Sequence, residues 1–184
     1  MPYHALDGVR VLDFTRVLAG PLCTMLLADL GAEVIKVETI GRGDDTRQWG
    51  PPWLSNMSAY FASVNRNKQS ITLNLKSDEG IKIARGIAQE SQIVVENFKV
   101  GQMASFGLGY EELQSINPAL VYCSITGFGQ SGSYAKYAGY DYAIQAMSGL
   151  MSITGEKDGK SSKVGVSGYT AKDDVRESRR GKYF

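Results

Sequence analysis

The side chains that most often carry enzyme chemistry are scarce in this sequence. It has one histidine, His4, and two cysteines, Cys23 and Cys123. A Ser-His-Asp triad or a Cys-His pair needs a histidine beside its nucleophile, and His4 lies in the lead-in to the first predicted strand. The two cysteines lack the spacing of metal ligands and are typical of buried free thiols. Nucleophilic or acid–base chemistry must therefore use carboxylates, lysine, tyrosine or serine, and we predict no metal site.

Several carboxylates lie at the ends of predicted strands, in loops or at the start of a predicted helix. The candidates for a nucleophilic or acid–base role are Asp13, Glu38, Asp44, Asp45, Glu96 and Asp141. Taken one at a time, each is more typical of a solvated surface charge or a helix cap, because carboxylates are rarely buried without a partner. The residue types alone single out none of them.

The loop at residues 15–20 is a candidate anion site. Gly20 and Pro21 fit the start of a helix, whose free N–H groups and positive dipole favour a phosphate or a carboxylate. The loop lacks the Gly-x-Gly-x-x-Gly pattern, although Glu38 ends the next strand as the ribose-binding acid of a dinucleotide fold would. A dinucleotide site and a plain turn without a ligand both stay open on these residues.

The elements that position these residues form an alternating pattern. Strands are predicted at residues 9–14, 33–38, 70–75, 92–96 and 120–125, and helices at about 20–30, 78–89, 101–106, 110–116 and 140–149. Strands that alternate with helices predict an α/β fold, a Rossmann-like parallel sheet with helices on both faces. A long loop at 39–58 and a glycine-rich loop at 127–132, either a mobile lid or a sharp turn, complete the pattern.

Composition narrows the class of protein. The chain has 184 residues, a net charge of +1 and 43% hydrophobic residues, which is typical of a globular domain. The balanced charge predicts neither nucleic-acid nor membrane-surface binding, and no apolar run reaches the ~20 residues of a membrane span. We expect a cytoplasmic protein, or a mitochondrial one if a presequence has been removed.

Taken together, several short motifs resemble the class III coenzyme A transferases. This family, of the CaiB/BaiF type, holds formyl-CoA- and succinyl-CoA-dependent transferases and also the α-methylacyl-CoA racemases. The matching segments are 6–13 (LDGVRVLD), 19–21 (AGP), 29–38 (DLGAEVIKVE), 43–47 (GDDTR), 65–71 (NRNKQSI), 95–98 (VENF), 107–110 (GLGY) and 139–141 (GYD). They follow the family order, so that residues 1–166 resemble the N-terminal part of the family's large domain.

The resemblance implies a reaction and its partners. In the family an aspartate attacks an acyl-CoA thioester, which releases CoA thiolate and leaves a mixed anhydride. An acceptor carboxylate then receives the CoA, within a homodimer of two interlocked chains. Acyl-CoA and a carboxylic acid are thus the expected substrates, with CoA carried as the acyl-CoA and no metal.

The family's CoA-contacting positions carry over unevenly. The residues on matching motifs are Leu18, Ala19, Leu73, Asn74, Leu75, Lys76, Asn97, Phe98, Lys99, Tyr140 and Asp141. Family members often place arginines for the CoA phosphates where this chain has Thr39 and Ser105. Lys36, Arg42 or Arg47 could supply the missing positive charge.

Two positions bear on the reaction. Racemases have histidine where this chain has Tyr140, which favours a transferase, with succinyl-CoA and a dicarboxylate as the most similar substrate type. The family nucleophile should fall at position 170, which is Thr170 here. The charged segment 167–184 does not resemble the family, and we expect it to be disordered.

These features predict an incomplete transferase that is inactive alone. The alternative is a non-catalytic fragment that binds CoA or interferes with dimer formation. An acyl-CoA racemase and a dinucleotide-dependent oxidoreductase are weaker alternatives.

Overall fold

The structure, a computed structural model, describes residues 4–165 and the backbone of residues 172–177. Its strands are β1 (Arg10–Asp13), β2 (Glu33–Glu38), β3 (Trp53–Leu54), β4 (Met57–Ser58), β5 (Lys68–Thr72), β6 (Ile93–Glu96), β7 (Val121–Thr126) and β8 (Lys172–Glu177). Its α-helices are α1 (Ala19–Asp29), α2 (Ala59–Asn65), α3 (Asp78–Gln89), α4 (Gln102–Ser105), α5 (Tyr110–Ile116) and α6 (Asp141–Met147). Short 3₁₀ helices lie at Asp45–Gln48 and Leu150–Ile153.

The main sheet confirms the predicted α/β fold. Its strand order is β5-β2-β1-β6-β7-β8, and the first five strands are parallel. The chain leaves β1 towards β2 on one side, whereas β6 lies on the other side. A crevice at the carboxyl ends of β1 and β6 is therefore the place where such a sheet binds ligands.

Alternating strand residues build two cores, one on each face of the sheet. Leu12 and Val94 face α3, α4 and α5, where they join Ala84, Met103 and Leu113. On the opposite face, one core contains Val11, Ala28, Val34, Val95 and Cys123. Successive strand residues point to opposite faces, so a strand buried on both sides is apolar throughout.

The outer strand β8 pairs antiparallel with β7 and lies within the charged segment 167–184. The sequence predicts disorder for this segment, whereas the backbone of these six residues completes the sheet. Pairing needs only backbone N–H and C=O groups, and an open β7 edge would offer them whatever side chains the partner carries. The rest of segment 167–184, including Thr170, lies outside the described residues.

The long loop at 39–58 contains more structure than the sequence predicts. It forms the 3₁₀ turn Asp45–Gln48 and the β3–β4 hairpin, and it leads into α2, for which no helix is predicted. The local signal for α2 is Ser58, whose Oγ accepts a hydrogen bond from the N–H of Phe61 as a helix N-cap. The loop packs beside the carboxyl ends of β1 and β2.

Candidate functional site: two cavities at the strand ends

Two cavities adjoin at the carboxyl ends of the parallel strands. The first, the α6 cavity, has a volume of about 580 Å³ and lies between the loop after β1, the turn after β6 and residues 135–141. The second, the β5 cavity, has a volume of about 560 Å³ and lies between the ends of β2 and β5 and helix α4. Their positions match the crevice expected from the strand order.

Arg16 and Phe98 line both cavities and separate them. The guanidinium carbon of Arg16 lies 4.8 Å from the centre of the Phe98 ring, which is a cation–π contact. The backbone N–H of Arg16 donates to Asn97 Oδ1 at 2.8 Å, and Asn97 Nδ2 donates to the Arg16 carbonyl at 2.7 Å. These two bonds tie the loop after β1 to the turn after β6.

Every residue predicted to bind CoA lines one of the two cavities. Leu18, Ala19, Asn97, Phe98, Lys99, Tyr140 and Asp141 line the α6 cavity. The β5 cavity is lined by Leu73, Asn74, Leu75, Lys76 and again Phe98. The structure thus brings together residues that are more than a hundred positions apart in the sequence.

A buried carboxylate, Asp13, lies at the end of β1. It accepts hydrogen bonds from the N–H and hydroxyl of Thr15, at 2.8 and 2.5 Å, and from the hydroxyl of Thr24 at 2.6 Å. The ammonium of Lys68 lies 3.1 Å away, so the charge is paired. Burial lowers the pKa of Lys68 to about 8, helped by the nearby charge of Lys36 and opposed by the attraction of Asp13.

A second buried pair, Lys36 and Asp44, supports the loop before α1. Lys36 Nζ lies 3.0 Å from Asp44 Oδ2 and donates to the Thr15 carbonyl at 2.7 Å. Asp44 also accepts from Thr46 and, at 3.4 Å, from the N–H of Val17. Val17 has a φ of 72°, which is strained for a β-branched residue and needs such support.

Glu38 is held by three neighbours at the end of β2. Arg47 binds both of its oxygens at 2.6 Å, Ser70 donates its hydroxyl at 2.5 Å, and the N–H of Asp44 donates at 2.8 Å. Burial would raise the pKa of Glu38, but these hydrogen bonds outweigh it and lower that pKa to about 2. Glu38 is therefore an ionised structural anchor rather than a free ribose-binding acid.

These contacts correct two predictions. The expectation that the carboxylates are solvated charges or caps is wrong for Asp13, Glu38 and Glu96, which are buried, whereas Asp44 is buried and does cap the turn Asp45–Gln48. A sequence shows no long-range partner, and partners are what make a buried charge tolerable. Two of the cations suggested for the CoA phosphates are held by buried carboxylates, Lys36 by Asp44 and Arg47 by Glu38, whereas Arg42 pairs with Asp45 at 2.9 Å and stays largely exposed.

Glu96 differs from the other buried carboxylates because no cation pairs with it among the described residues. It accepts hydrogen bonds from the N–H of Phe98, at 2.8 Å, and from the hydroxyl of Ser124. Burial raises its pKa, and these two bonds only partly oppose that effect. Glu96 fixes the turn that carries Asn97 and Phe98 into the site.

The opposite wall of the α6 cavity has a different construction. The backbones of Gly127 and Gly139 pass so closely that a Cβ on Gly139 would lie 2.6 Å from the Gly127 Cα. This crossing closes the loop 127–139. Gly129 and Gly132 in that loop have positive φ values, which fits the sharp turn of the two alternatives that the sequence leaves open.

The start of helix α6 presents Asp141 to this cavity, together with Tyr140, the residue before the helix. Tyr140 is largely exposed, and Asp141 accepts a hydrogen bond from Gln145 Nε2 at 2.8 Å. Gln145 Oε1 in turn accepts from the N–H of Val164 at 2.8 Å. One buried amide therefore links Asp141 to the segment after α6.

Comparison with known proteins identifies the family. The model of CoA-transferase family III matches residues 6–169. The chain belongs to CoA-transferase family III. The CoA-transferase resemblance read from the short motifs is thus confirmed.

Individual relatives agree with this assignment. The chain is 55% identical over 162 residues to succinyl-CoA:glutarate CoA-transferase of Mus musculus, a match that covers 88% of this chain and 37% of the relative. It is 53% identical over 168 residues to succinate–glutarate CoA-transferase of Agrobacterium fabrum, covering 88% of this chain and 42% of that one. The chain therefore spans about two fifths of the length of these relatives.

A solved structure shares the fold. A CaiB/BaiF family protein from Brucella suis superposes with a TM-score of 0.86 at 49% identity, over 90% of this chain and 44% of that one. This likeness confirms the Rossmann-like fold class predicted from the alternating pattern.

Sequence reasoning missed other residues that line the α6 cavity of this family III chain. Trp49 and Tyr60 lie in its wall, with ring centres 5.4 Å apart in an edge-to-face arrangement, and Lys136 and Tyr137 lie on the loop 127–139. Trp49 could have been found from its place in a long loop, because an aromatic ring there needs a surface to pack against.

The described residues contain no cluster of metal-ligating side chains. Their helices are also too short or too polar to cross a membrane.

Proposed function

We propose that this chain binds coenzyme A thioesters along the two cavities, as the CoA-binding portion of a class III CoA transferase. The observation that carries the proposal is that every CoA-contacting position transferred from the family lines one of two adjoining cavities. The names of the mouse and Agrobacterium relatives support succinyl-CoA as donor and a dicarboxylate such as glutarate as acceptor.

The shape and chemistry of the cavities suit the parts of CoA. The β5 cavity is lined by apolar and aromatic side chains, including Ile40, Leu73 and Phe106, beside the cation Lys76. Such a lining suits a nucleotide base with a phosphate nearby. The α6 cavity, with its tyrosines and Trp49, suits the pantetheine arm and the acyl group.

The reaction needs a carboxylate nucleophile, and the described part of the α6 cavity offers none that is uncommitted. Asp45 pairs with Arg42, and Asp141 accepts a hydrogen bond from Gln145. The predicted nucleophile position, Thr170, carries a hydroxyl in place of a carboxylate. We therefore propose that this chain binds the thioester and holds it, but does not by itself transfer CoA between acids.

Binding is tested through the fluorescence of Trp49. The chain has two tryptophans, so a Trp53→Phe variant leaves Trp49, which lines the α6 cavity, as the single reporter. Saturable quenching by CoA and by succinyl-CoA is expected. Phe98→Ala, which removes the ring shared by both cavities, should weaken binding, while Ile83→Ala on the far side of α3 should not. Absence of saturable binding would overturn the proposal.

Catalysis is tested separately with the same protein. Succinyl-CoA and glutarate are incubated with the chain, and glutaryl-CoA is followed by mass spectrometry. We expect binding without product. Substitution of Thr170→Asp tests whether a carboxylate at this position is sufficient for turnover, and robust turnover by the unaltered chain would contradict the assignment of a binding role alone.

The interlocked homodimer that the family resemblance implies is part of this proposal. Sedimentation velocity of the chain with and without CoA tests it. A monomer in both conditions would remove the dimer from the proposal without touching CoA binding.

A further inference from the structure

Few cations at the site are uncommitted. Among the described residues, Lys36, Lys68, Arg42 and Arg47 each lie within salt-bridge distance of a carboxylate. The cations that line a cavity and have no carboxylate partner in the described part of the chain are Arg16, Lys76, Lys99 and Lys136. Among the cations that line the cavities, this second group can supply positive charge for the phosphates of a CoA thioester.

Arg16 is distinguished from the others by its place between the two cavities. Lys99 and Lys136 line the α6 cavity only, and Lys76 lines the β5 cavity only, whereas Arg16 lines both. A ligand that extends from one cavity into the other must pass beside its guanidinium.

The backbone of Arg16 is held before any ligand arrives, and its exposed side chain rests on one aromatic ring. The Asn97 side chain holds its backbone by two hydrogen bonds, and the Phe98 ring supports its guanidinium from one side. A guanidinium stacked on an aromatic ring keeps its N–H edge available, and that edge matches the oxygens of a phosphate group. A side chain supported by such a ring loses less entropy on binding than an unsupported one.

We propose that Arg16 binds the diphosphate of the CoA thioester, in place of the arginines that the family carries where this chain has Thr39 and Ser105. This inference rests on the proposed CoA binding. Nucleotide in the β5 cavity and pantetheine in the α6 cavity leave the diphosphate, which joins them, at the junction where Arg16 lies. Both charges on that group are permanent at neutral pH, so a permanent cation is the appropriate partner.

The position of Arg16 also separates the diphosphate from two other anions of the ligand. The 3′-phosphate belongs to the ribose, inside the β5 cavity, where Lys76 is the nearby cation. The free carboxylate of a succinyl group belongs to the acyl end, inside the α6 cavity, where Lys136 lies. Contact of Arg16 with the diphosphate, with the 3′-phosphate or with the acyl carboxylate would therefore change the affinity for different ligands.

The test compares Arg16→Gln with Arg16→Lys in the Trp53→Phe background, with Lys82→Gln on the exposed face of α3 as the matched control. Titrations use CoA, dephospho-CoA, which lacks the 3′-phosphate, and pantetheine at millimolar concentrations. Loss of charge-assisted hydrogen bonds should raise the Kd of Arg16→Gln for CoA and for dephospho-CoA by a similar factor, roughly 10- to 100-fold. Binding of pantetheine should not change, and Arg16→Lys should recover part of the affinity. The thermal unfolding midpoint of each variant checks that it is folded.

Other outcomes overturn the inference. A loss for CoA but not for dephospho-CoA assigns Arg16 to the 3′-phosphate, and an equal loss for pantetheine shows that the cavity itself has changed. A loss for succinyl-CoA that is absent for acetyl-CoA assigns Arg16 to the acyl carboxylate. An unaltered chain that binds none of these compounds would overturn the proposed function, whereas normal CoA binding by Arg16→Gln would overturn only the role of Arg16.

Discussion

The two walls of the α6 cavity are built by different forces. On the side of β1 and β2, buried ion pairs hold the loop, with Asp13 bonded to Lys68 and Asp44 bonded to Lys36. On the side of α6, the backbones of Gly127 and Gly139 cross closely, exposed Tyr137 and Tyr140 flank Gly139 in the sequence, and one buried amide, Gln145, bridges to Val164. The first wall, called the β1 wall below, depends on charge pairing, and the second, the α6 wall, depends on close backbone packing.

This difference indicates which wall is rigid. Buried ion pairs lose a large part of their energy when one partner is removed, so the β1 wall should respond strongly to single substitutions. The α6 wall has more exposed apolar surface and fewer buried polar contacts, which is typical of the locally less stable parts of a protein. A ligand in the cavity would therefore meet a fixed wall on one side and a more adaptable wall on the other.

The largest expected effect on stability comes from removing one ion pair of the β1 wall. Lys36→Met leaves the Asp44 carboxylate and the Thr15 carbonyl buried without their cation, which should lower the free energy of unfolding by about 3–5 kcal/mol. Urea unfolding followed by circular dichroism measures the change. Lys82→Met, on the exposed face of α3, is the control and should cost less than about 0.5 kcal/mol. A cost below about 1 kcal/mol for Lys36→Met would show that this ion pair does not hold the wall.

The second prediction concerns pH and the same wall. The folded pKa of Glu38, about 2, lies below its ordinary value of 4.5, so its contribution to stability is complete above pH 4.5 and is lost as the pH falls towards 2. Glu38→Gln should remove roughly 2–3 kcal/mol at pH 7, and the gap to the unaltered chain should narrow below pH 4.5.

Urea unfolding at several pH values between 7 and 3 follows that gap, with exposed Glu111→Gln as the control. A difference in the free energy of unfolding that stays constant down to pH 3 would contradict the role of Glu38 as an ionised, stabilising group.

The third prediction breaks the α6 wall by steric contact. Gly139→Ala places a Cβ against the backbone of Gly127 and should cost about 1–3 kcal/mol, as overpacking does. Gly86→Ala is the matched control, because a Cβ there meets nothing within 4 Å and lies on a helix, so it should stabilise by roughly 1 kcal/mol. Thermal unfolding of both variants measures these opposite changes in stability. Equal changes for Gly139→Ala and Gly86→Ala would show that the crossing does not constrain the wall.

The smallest expected effect on stability is that of Glu96→Gln, which is compared with that of Glu38→Gln. Glu96 has a raised pKa and no described cation partner, and Gln can keep the bonds to Phe98 and Ser124. Glu96→Gln should therefore change stability by less than about 1 kcal/mol at pH 7, in contrast to Glu38→Gln.

The pH dependence of Glu96 has the opposite sign to that of Glu38. A carboxyl whose folded pKa is raised binds its proton more tightly in the folded state, so the unaltered chain should lose stability as the pH rises above 4.5 through the folded pKa. The Gln variant should lack that loss. A cost above about 2 kcal/mol at pH 7 would instead show that the charge of Glu96 is required.

Much of the fold could be predicted because its signals are local. The bounds of β2, α3 and α5 agree with the periodicity of residues 33–38, 78–89 and 110–116. Helix α2 was missed because it lacks the acidic first turn that marks α5, a helix of the same length, and only the Ser58 cap marks its start.

Many residues that line the two cavities could be predicted, but their arrangement could not. The family motifs supplied the residues from Leu18 to Asp141, since motif positions can be read along the chain. They did not show that Phe98 and Arg16 stand between two cavities, nor that Lys36 and Arg47 are already paired. Those facts depend on contacts between segments far apart in sequence.

By itself the sequence determined the alternating α/β pattern and the resemblance to the family. Only the tertiary structure decided which charges are buried and with what partners. The physical reason is that hydrophobic periodicity and capping act over a few residues. The state of a charge depends instead on desolvation and on partners within a few ångströms, and these meet only when the strand ends of one sheet come together.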